Sequence, residues 1–277
     1  MFDKTALSTK DSFGPWTHRL INFIDLTPVY LYTSPVLLGL SWDRQVFPLL
    51  AKQLGKDFIH CALRTPKGMG KYSTYGELRR GERNGVDYRI HTRRGDSGIA
   101  VIAPHGGGIE PGTMETASEV AGNEHAFYCF EGVKTRGNSD LHITSKNVDE
   151  PTLLSILKDA KVAIALHGCG TEDEAVYIGG LHSDLKQRIH YALTRAGFTV
   201  KQSLKPLLQG KSAQNICNMG KTGAGVQLEL SRGLRRQMFV DVIGSQDKDR
   251  SQRTEVFYAF VSALRKALSE NSAKTGD

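Results

Sequence analysis

The chain has 277 residues, 39% of them hydrophobic and 23% charged, which suits one soluble globular domain of about 200 residues with additional segments. Its four cysteines, Cys61, Cys129, Cys169 and Cys217, form no CxxC pair; this excludes a zinc ribbon or a thioredoxin-type redox motif and points to a reducing, cytoplasmic compartment. A net charge of +7 and a pI near 9.2 favour an anionic partner, but the basic residues are dispersed in short clusters such as "RRGER" and "RGLRR".

The N-terminal "MFDKTALSTKDSFGPW" is too polar for the apolar segment of a secretory signal. Val29 to Trp42 is the most apolar stretch, yet it falls short of the roughly 20 residues that span a bilayer and contains Pro35. It reads as a core or docking segment, and no membrane partner is expected. Residues 1–70 lack strong periodicity and are expected to form an N-terminal extension, with the main domain over residues 71–277.

From about residue 98, apolar runs alternate with helical patterns. "GIAVIAP" predicts a buried strand, and "TMETASEVAG" a helix entered at Thr113 and stopped at Gly122. "HAFYCFEG" predicts a second strand, "DEPTLLSILKDA" a helix with Pro151 in its first turn, and "KVAIALHG" a third strand. "SDLKQRIHYALTRAGF" predicts a helix capped by Ser183 and ended at Gly197, followed by a short strand at "TVKQS". "GVQLELS" alternates, with Val226, Leu228 and Leu230 on one face and Gln227, Glu229 and Ser231 on the other. A final amphipathic helix runs from about Ser251 to Leu268, and the last residues, "SENSAKTGD", are expected to fray. This order predicts an α/β fold with a mixed, largely parallel sheet flanked by helices, and ligands beyond the carboxyl ends of its strands.

The stretch "APHGGGIEPGT" carries the chemistry. It is no Walker-type phosphate cradle, because neither "GKS" at 210–212 nor "GKT" at 220–222 has the glycine required upstream. It resembles a lipase oxyanion loop, but the chain has no GxSxG elbow. Cys169 in "HGCG" with His167 as its base lacks a third, orienting group. The metal reading fits better. His105 closes one predicted strand and His167 another, so both imidazoles emerge at the same sheet edge, and the glycines let the chain turn Glu110 back toward them. Two histidines and one carboxylate, with a position left for water, form a catalytic zinc set. Glu229, on the polar face of its strand, fits the general base such a site needs; the competing expectation is a salt bridge to an arginine of "SRGLRR".

"APHGGGIEPGTMETA", "YCFEGVKTRGNSDLHITS", "ALHGCG", "YIGGL" and "NICNMGKTGAGVQLELSRGLR", in that order, resemble the poly-γ-glutamate hydrolase family, which includes phage depolymerases and relatives sometimes labelled phage-related replication proteins. The resemblance runs from about Tyr72 to about Phe239. It implies a zinc-carboxypeptidase-like fold, zinc on His105, Glu110 and His167, and Glu229 as catalytic glutamate. It implies a zinc-dependent amidohydrolase acting on γ-glutamyl amide bonds of an acidic polymer. His142, in "LHITS", is expected to line the site without an assigned metal role. Arg232, Arg235, Arg136 and Lys221 are candidates to clamp the free α-carboxylates of such a substrate, and Asn215 and Asn218 to orient it. Two alternatives stand beside this reading. The same chemistry could act on a small N-acyl amino acid or aminoacyl ester, or the basic chain could be a nucleic-acid-binding replication accessory, although it carries no recognisable nucleic-acid motif.

Overall fold

The structure, a computed structural model, describes residues 70–203, 205–240 and 252–269. The expected N-terminal extension, the apolar segment from Val29 to Trp42, the start of the last helix at Ser251 and nearly all of the fraying C-terminus lie outside them.

The described residues form α1 (Tyr75–Gly81), β1 (Tyr88–Arg93), β2 (Ile99–Gly107), α2 (Thr113–Ala121), β3 (Ala126–Gly132), α3 (Pro151–Asp159), β4 (Val162–Gly168), β5 (Ala175–Gly179), α4 (Ser183–Arg195), β6 (Thr199–Lys201), β7 (Val226–Leu230), α5 (Arg232–Met238) and α6 (Glu255–Ser269). The seven strands make one sheet in the order β1-β3-β2-β4-β7-β5-β6. The pairs β3-β2, β2-β4, β4-β7 and β5-β6 are parallel; β1-β3 and β7-β5 are antiparallel. This is the mixed, largely parallel sheet flanked by helices that the alternation of elements predicts. No helix among the described residues is long and apolar enough to cross a membrane.

Both faces of the sheet are covered, which explains why β2 and β4 read as nearly unbroken apolar runs. On one face Val101, Ile164 and Leu228 pack against Val120 of α2, Ile189 of α4 and Phe260 of α6. On the other, Ala100, Ile102 and Ala165 meet Leu78 of α1 and Leu153 and Leu157 of α3. Pro151 opens α3 as predicted, and Glu150 caps it by accepting the Thr152 and Leu153 N–H groups. At α4 the cap is His182 rather than Ser183: its Nδ1 accepts the Leu185 N–H.

One irregularity places the site. Ile102 of β2 lies opposite Ala165 of β4, so regular alternation would pair position 104 with His167 and leave His105 on the opposite face. Against β3 the register shifts between Ala103, opposite Cys129, and Gly106, opposite Glu131, so β2 carries one extra residue there. This bulge returns His105 to the face that His167 and Glu229 share. Gly106 closes it, since a Cβ there would strike the Cys129 sulfur.

Gly106→Ala is therefore expected to lower stability by about 1–3 kcal/mol through overpacking against Cys129. Urea unfolding would show an earlier midpoint at unchanged slope; an unaltered midpoint would show that the bulge tolerates a methyl group.

Candidate metal centre

The bulge delivers His105 to the carboxyl edge of β2, and the glycine turn folds Glu110 back over it. The Glu110 N–H donates to the His105 carbonyl at 2.9 Å, and the Thr113 hydroxyl donates to the Glu110 carbonyl at 2.8 Å. Gly107 is required within that turn: its φ is +63°, and a Cβ would lie 2.5 Å from Glu131 Cγ and the Gly132 oxygen. His167 arrives at the end of β4, directly opposite Glu229 of β7.

His105 Nδ1 lies 3.1 Å from both Glu110 Oε1 and His167 Nδ1, and His167 Nδ1 is 3.5 Å from Glu110 Oε2. The far nitrogens are already occupied. His105 Nε2 donates to the Ile143 carbonyl at 2.7 Å, which leaves Nδ1 as a bare lone pair, and His167 Nε2 meets the Ser145 hydroxyl at 3.3 Å. The Gly168 N–H donates to Glu110 Oε2 at 2.8 Å. Two imidazole nitrogens and a carboxylate thus face one point, where only a proton or a cation can hold them together.

Electrostatics sharpen that competition. Burial drives His105 down to about 4, although Glu110 pulls the other way. Burial also opposes charge on His167, but Glu110 and Glu229 outweigh it and hold this imidazole above its usual value. Burial would raise Glu110; His105, His142 and His167 together keep it well below the carboxylate range. Glu229 has weaker support, and burial pushes it up to about 7 despite the attraction of His167. Its Oε1 accepts from Gln227 Nε2 at 2.9 Å, and the expected alternative of a salt bridge to a following arginine does not form.

His142 is drawn in more closely than its motif suggested. Its ring stacks on His105 with centroids 3.9 Å apart, its Nε2 is 3.6 Å from Glu110 Oε1, and with these two residues it forms a group able to hold a metal ion. Its Nδ1 is buried without a hydrogen-bond partner among the described residues. Burial raises the Cys169 thiol, whose neighbour is the Thr171 hydroxyl at 3.5 Å, which disfavours the thiolate that a nucleophile needs.

The remaining candidates divide. Arg136, on the loop after β3, is exposed at the same edge as the cluster, and Arg232, just beyond β7, pairs with Glu172 at 2.9 Å. The structure gives the other four candidates, Lys221, Asn218, Arg235 and Asn215, other surroundings. Lys221 sits at the opposite edge, where its N–H donates to the Ala160 carbonyl before β4 begins. Asn218 is buried and saturated there: Oδ1 accepts from Leu181 and Gly225, while Nδ2 donates to the Gly210 and Ser212 carbonyls. Arg235 is only 5% exposed, and its guanidinium donates to the carbonyls of Leu230 (3.2 Å), Pro111 (2.8 Å) and Cys169 (3.0 Å). Asn215, also buried, donates to Gln227 rather than facing the open edge.

Arg235 thereby staples the segments that carry Glu229, Glu110 and His167. Its guanidinium lies so close to Gly168 that a Cβ there would be 2.9 Å from Cζ, which accounts for the glycine after His167. Arg235→Met is expected to cost about 3–5 kcal/mol, because three buried carbonyls lose a charged donor. Arg235→Lys keeps the charge but not the three-way fork, so it should weaken zinc affinity about 10–100-fold, as loss of an outer-shell partner does. Chelator competition on folded protein checks this; unaltered zinc affinity in both variants would reduce Arg235 to a stability element.

Comparison with known proteins gives the family and the fold. A family model described as poly-gamma-glutamate hydrolase matches residues 72–263. The SPbeta prophage-derived UPF0714 protein YoqZ of Bacillus subtilis strain 168 is 36% identical over 266 residues, covering 95% of this chain and 90% of YoqZ. That alignment takes in most of residues 1–70, which the family model leaves out. A solved bacteriophage poly-gamma-glutamate hydrolase superposes with a TM-score of 0.69 at 30% identity, covering 74% of this chain and 99% of its own. The zinc-free apo form of YndL superposes with a TM-score of 0.67 at 35% identity, again covering 74% and 99%. With its buried histidine–carboxylate cluster at the carboxyl edge of a largely parallel sheet, the chain belongs to the poly-γ-glutamate hydrolase family.

Proposed function

We propose that the protein is a zinc-dependent amidohydrolase that cleaves γ-glutamyl amide bonds in poly-γ-glutamate or a similar acidic amide. The observation that carries this reading is the meeting of His105 Nδ1, His167 Nδ1 and Glu110 around one point, with the buried Glu229 on the adjoining strand. Family membership supports the substrate class, and the description of a YndL structure as zinc-free supports the metal. The donor set also fits: two nitrogens and one oxygen, each oriented by an outer partner, are the three protein ligands of a catalytic rather than a structural zinc site.

His105, Glu110 and His167 would hold the ion. When bound, zinc supplies a Lewis acid that polarises a carbonyl and acidifies water. Glu229 accepts a proton from the attacking water and returns it to the departing amide nitrogen; its value of about 7 lets it do both near neutrality. Arg136 and Arg232 lie at the open edge to meet α-carboxylates, with Arg232 exchanging its contact with Glu172 for substrate. His142 gives a second ligand reading, because it forms a metal-competent group with His105 and Glu110. Zinc stoichiometry of His167→Ala against His142→Ala separates the two. The start of the family match at residue 72 supports residues 71–277 as the hydrolase unit and residues 1–70 as an extension.

Three measurements test this. Incubation of poly-γ-glutamate with zinc-loaded protein should shorten the polymer and EDTA should abolish the effect; intact polymer in both samples would move the search to small N-acyl amino acids. Glu229→Gln should retain zinc while turnover falls about 10²–10⁴-fold; loss of zinc would make Glu229 a ligand instead.

The third concerns protons. His167 is held above 6.5 and Glu229 near 7 in the metal-free cluster, and a cation opposes protons on both. Zinc uptake should therefore displace the protons held by His167 and Glu229 below about pH 7, so that affinity falls as pH falls through that window, whereas protons released well above it come from the acidified water. Titration in weak buffer checks this, and pH-independent affinity would contradict it.

A further inference from the structure

We propose that Asn215 and Gln227 are positioning residues forming a polarised amide relay. It holds Glu229 Oε1 as a permanent acceptor and leaves Oε2 as the oxygen that exchanges protons with the reacting molecules. The inference rests on the reading of Glu229 as the general base.

The direction of the relay follows from a single backbone donor. Asn215 caps the 3-10 turn Ile216–Asn218, and its Oδ1 accepts the Cys217 N–H at 3.1 Å. A backbone N–H can only donate, so the atom facing it must be oxygen, and the other end of the Asn215 amide must be nitrogen. That nitrogen donates to Gln227 Oε1 at 2.9 Å. The remaining end of Gln227 is then its Nε2, which donates to Glu229 Oε1 at 2.9 Å and to the Leu208 carbonyl at 3.2 Å. Turning the Gln227 amide over would set oxygen against the Glu229 oxygen and the Leu208 carbonyl, and nitrogen against the Asn215 nitrogen. All three contacts would become repulsive in a region without water to relieve them, since Asn215, Gln227 and Glu229 are each at most 5% exposed. Gly210 packs closely on this side chain: a Cβ there would lie 3.0 Å from Gln227 Cβ.

Because Oε1 always receives a donor, a proton taken from water is placed on Oε2. In the first half of the reaction a water O–H bond breaks, the Oε2–H bond forms, and the water oxygen bonds to the acyl carbon as the carbonyl π pair moves onto the carbonyl oxygen. In the second half that pair re-forms the carbonyl as the carbon–nitrogen bond and the Oε2–H bond break, and the proton goes to the amide nitrogen. Water has then been added across the amide and Glu229 is restored.

The test uses the full-length, zinc-loaded protein on poly-γ-glutamate with Asn215→Asp, Gln227→Met, the double variant and Glu229→Gln. Aspartate still accepts from Cys217 but offers Gln227 no donor, so Gln227 is free to turn over. The relay predicts that kcat falls at least tenfold in both single variants, with KM and zinc affinity within about twofold of wild type. It also predicts that the double variant is no worse than Gln227→Met alone, because the pair acts as one unit. In the metal-free protein, the Gln227 carboxamide protons should exchange slowly with solvent by NMR, and at least tenfold faster in Asn215→Asp. If Gln227→Met does not fold, Asn215→Asp and the NMR exchange carry the test. Unchanged kcat in Asn215→Asp, losses that multiply in the double variant, or unchanged amide exchange would overturn the relay. If Glu229→Gln keeps its turnover, the general-base reading fails; if Glu229→Gln is inactive while Asn215→Asp and Gln227→Met are not, only the relay fails.

Discussion

A carboxylate and three imidazoles are held together at the end of the sheet, and the local architecture follows from the cost of keeping them there. Glu110 is too poorly hydrated to remain ionised unaided, and it does so because His105, His142, His167 and the Gly168 N–H surround it. His105 and His167 then compete for whatever positive charge the cluster carries, His105 being driven neutral and His167 kept basic. An arrangement of facing lone pairs is costly to bury and well matched to a divalent ion. The bulge in β2, the glycines at 106, 107 and 168, and the Arg235 staple are the means by which the chain assembles it.

Two polar systems lie behind the cluster, and they act on different parts of it. Arg235 fixes backbone: its three acceptors immediately follow, or lie two residues beyond, the residues proposed to do the chemistry. The Asn215–Gln227 pair fixes a side chain, and it does so from the opposite direction, along the strand that carries Glu229. The first holds the backbone around the proposed metal ligands, and the second holds the carboxylate of the proposed base. Both are buried, so neither can be replaced by solvent when it is lost.

Much of this was legible in the sequence wherever apolar patterning decides the outcome. The buried runs of β2 and β4, the alternation of β7 and the helices α2, α3 and α4 read directly, because strands and amphipathic helices have distinct periods. His105, Glu110, His167 and Glu229 could be selected because they end, follow or interrupt those runs. The bulge could not be read, since one extra residue between Ala103 and Gly106 leaves the apolar pattern almost unchanged while reversing the face of His105. Charge was a poorer guide than pattern. Lys221 and Arg235 look alike as cations near a motif, yet one lies at the far edge and the other is buried on backbone carbonyls, distinctions that only the tertiary contacts make. Gln227 carried a signal that went unused, because the alternation of "VQLEL" already set it on the face of Glu229.

The central claim is that His105, Glu110 and His167 form one metal centre with Glu229 beside it and not bonded to the ion. Anomalous scattering at the zinc edge from crystals soaked in zinc tests it most directly. The account predicts a single strong peak at the sheet edge, about 2.0–2.1 Å from His105 Nδ1 and His167 Nδ1 and about 2.0–2.2 Å from a Glu110 oxygen. A peak held by His142 in place of His167, a peak bonded to Glu229, or no peak within the cluster would contradict it.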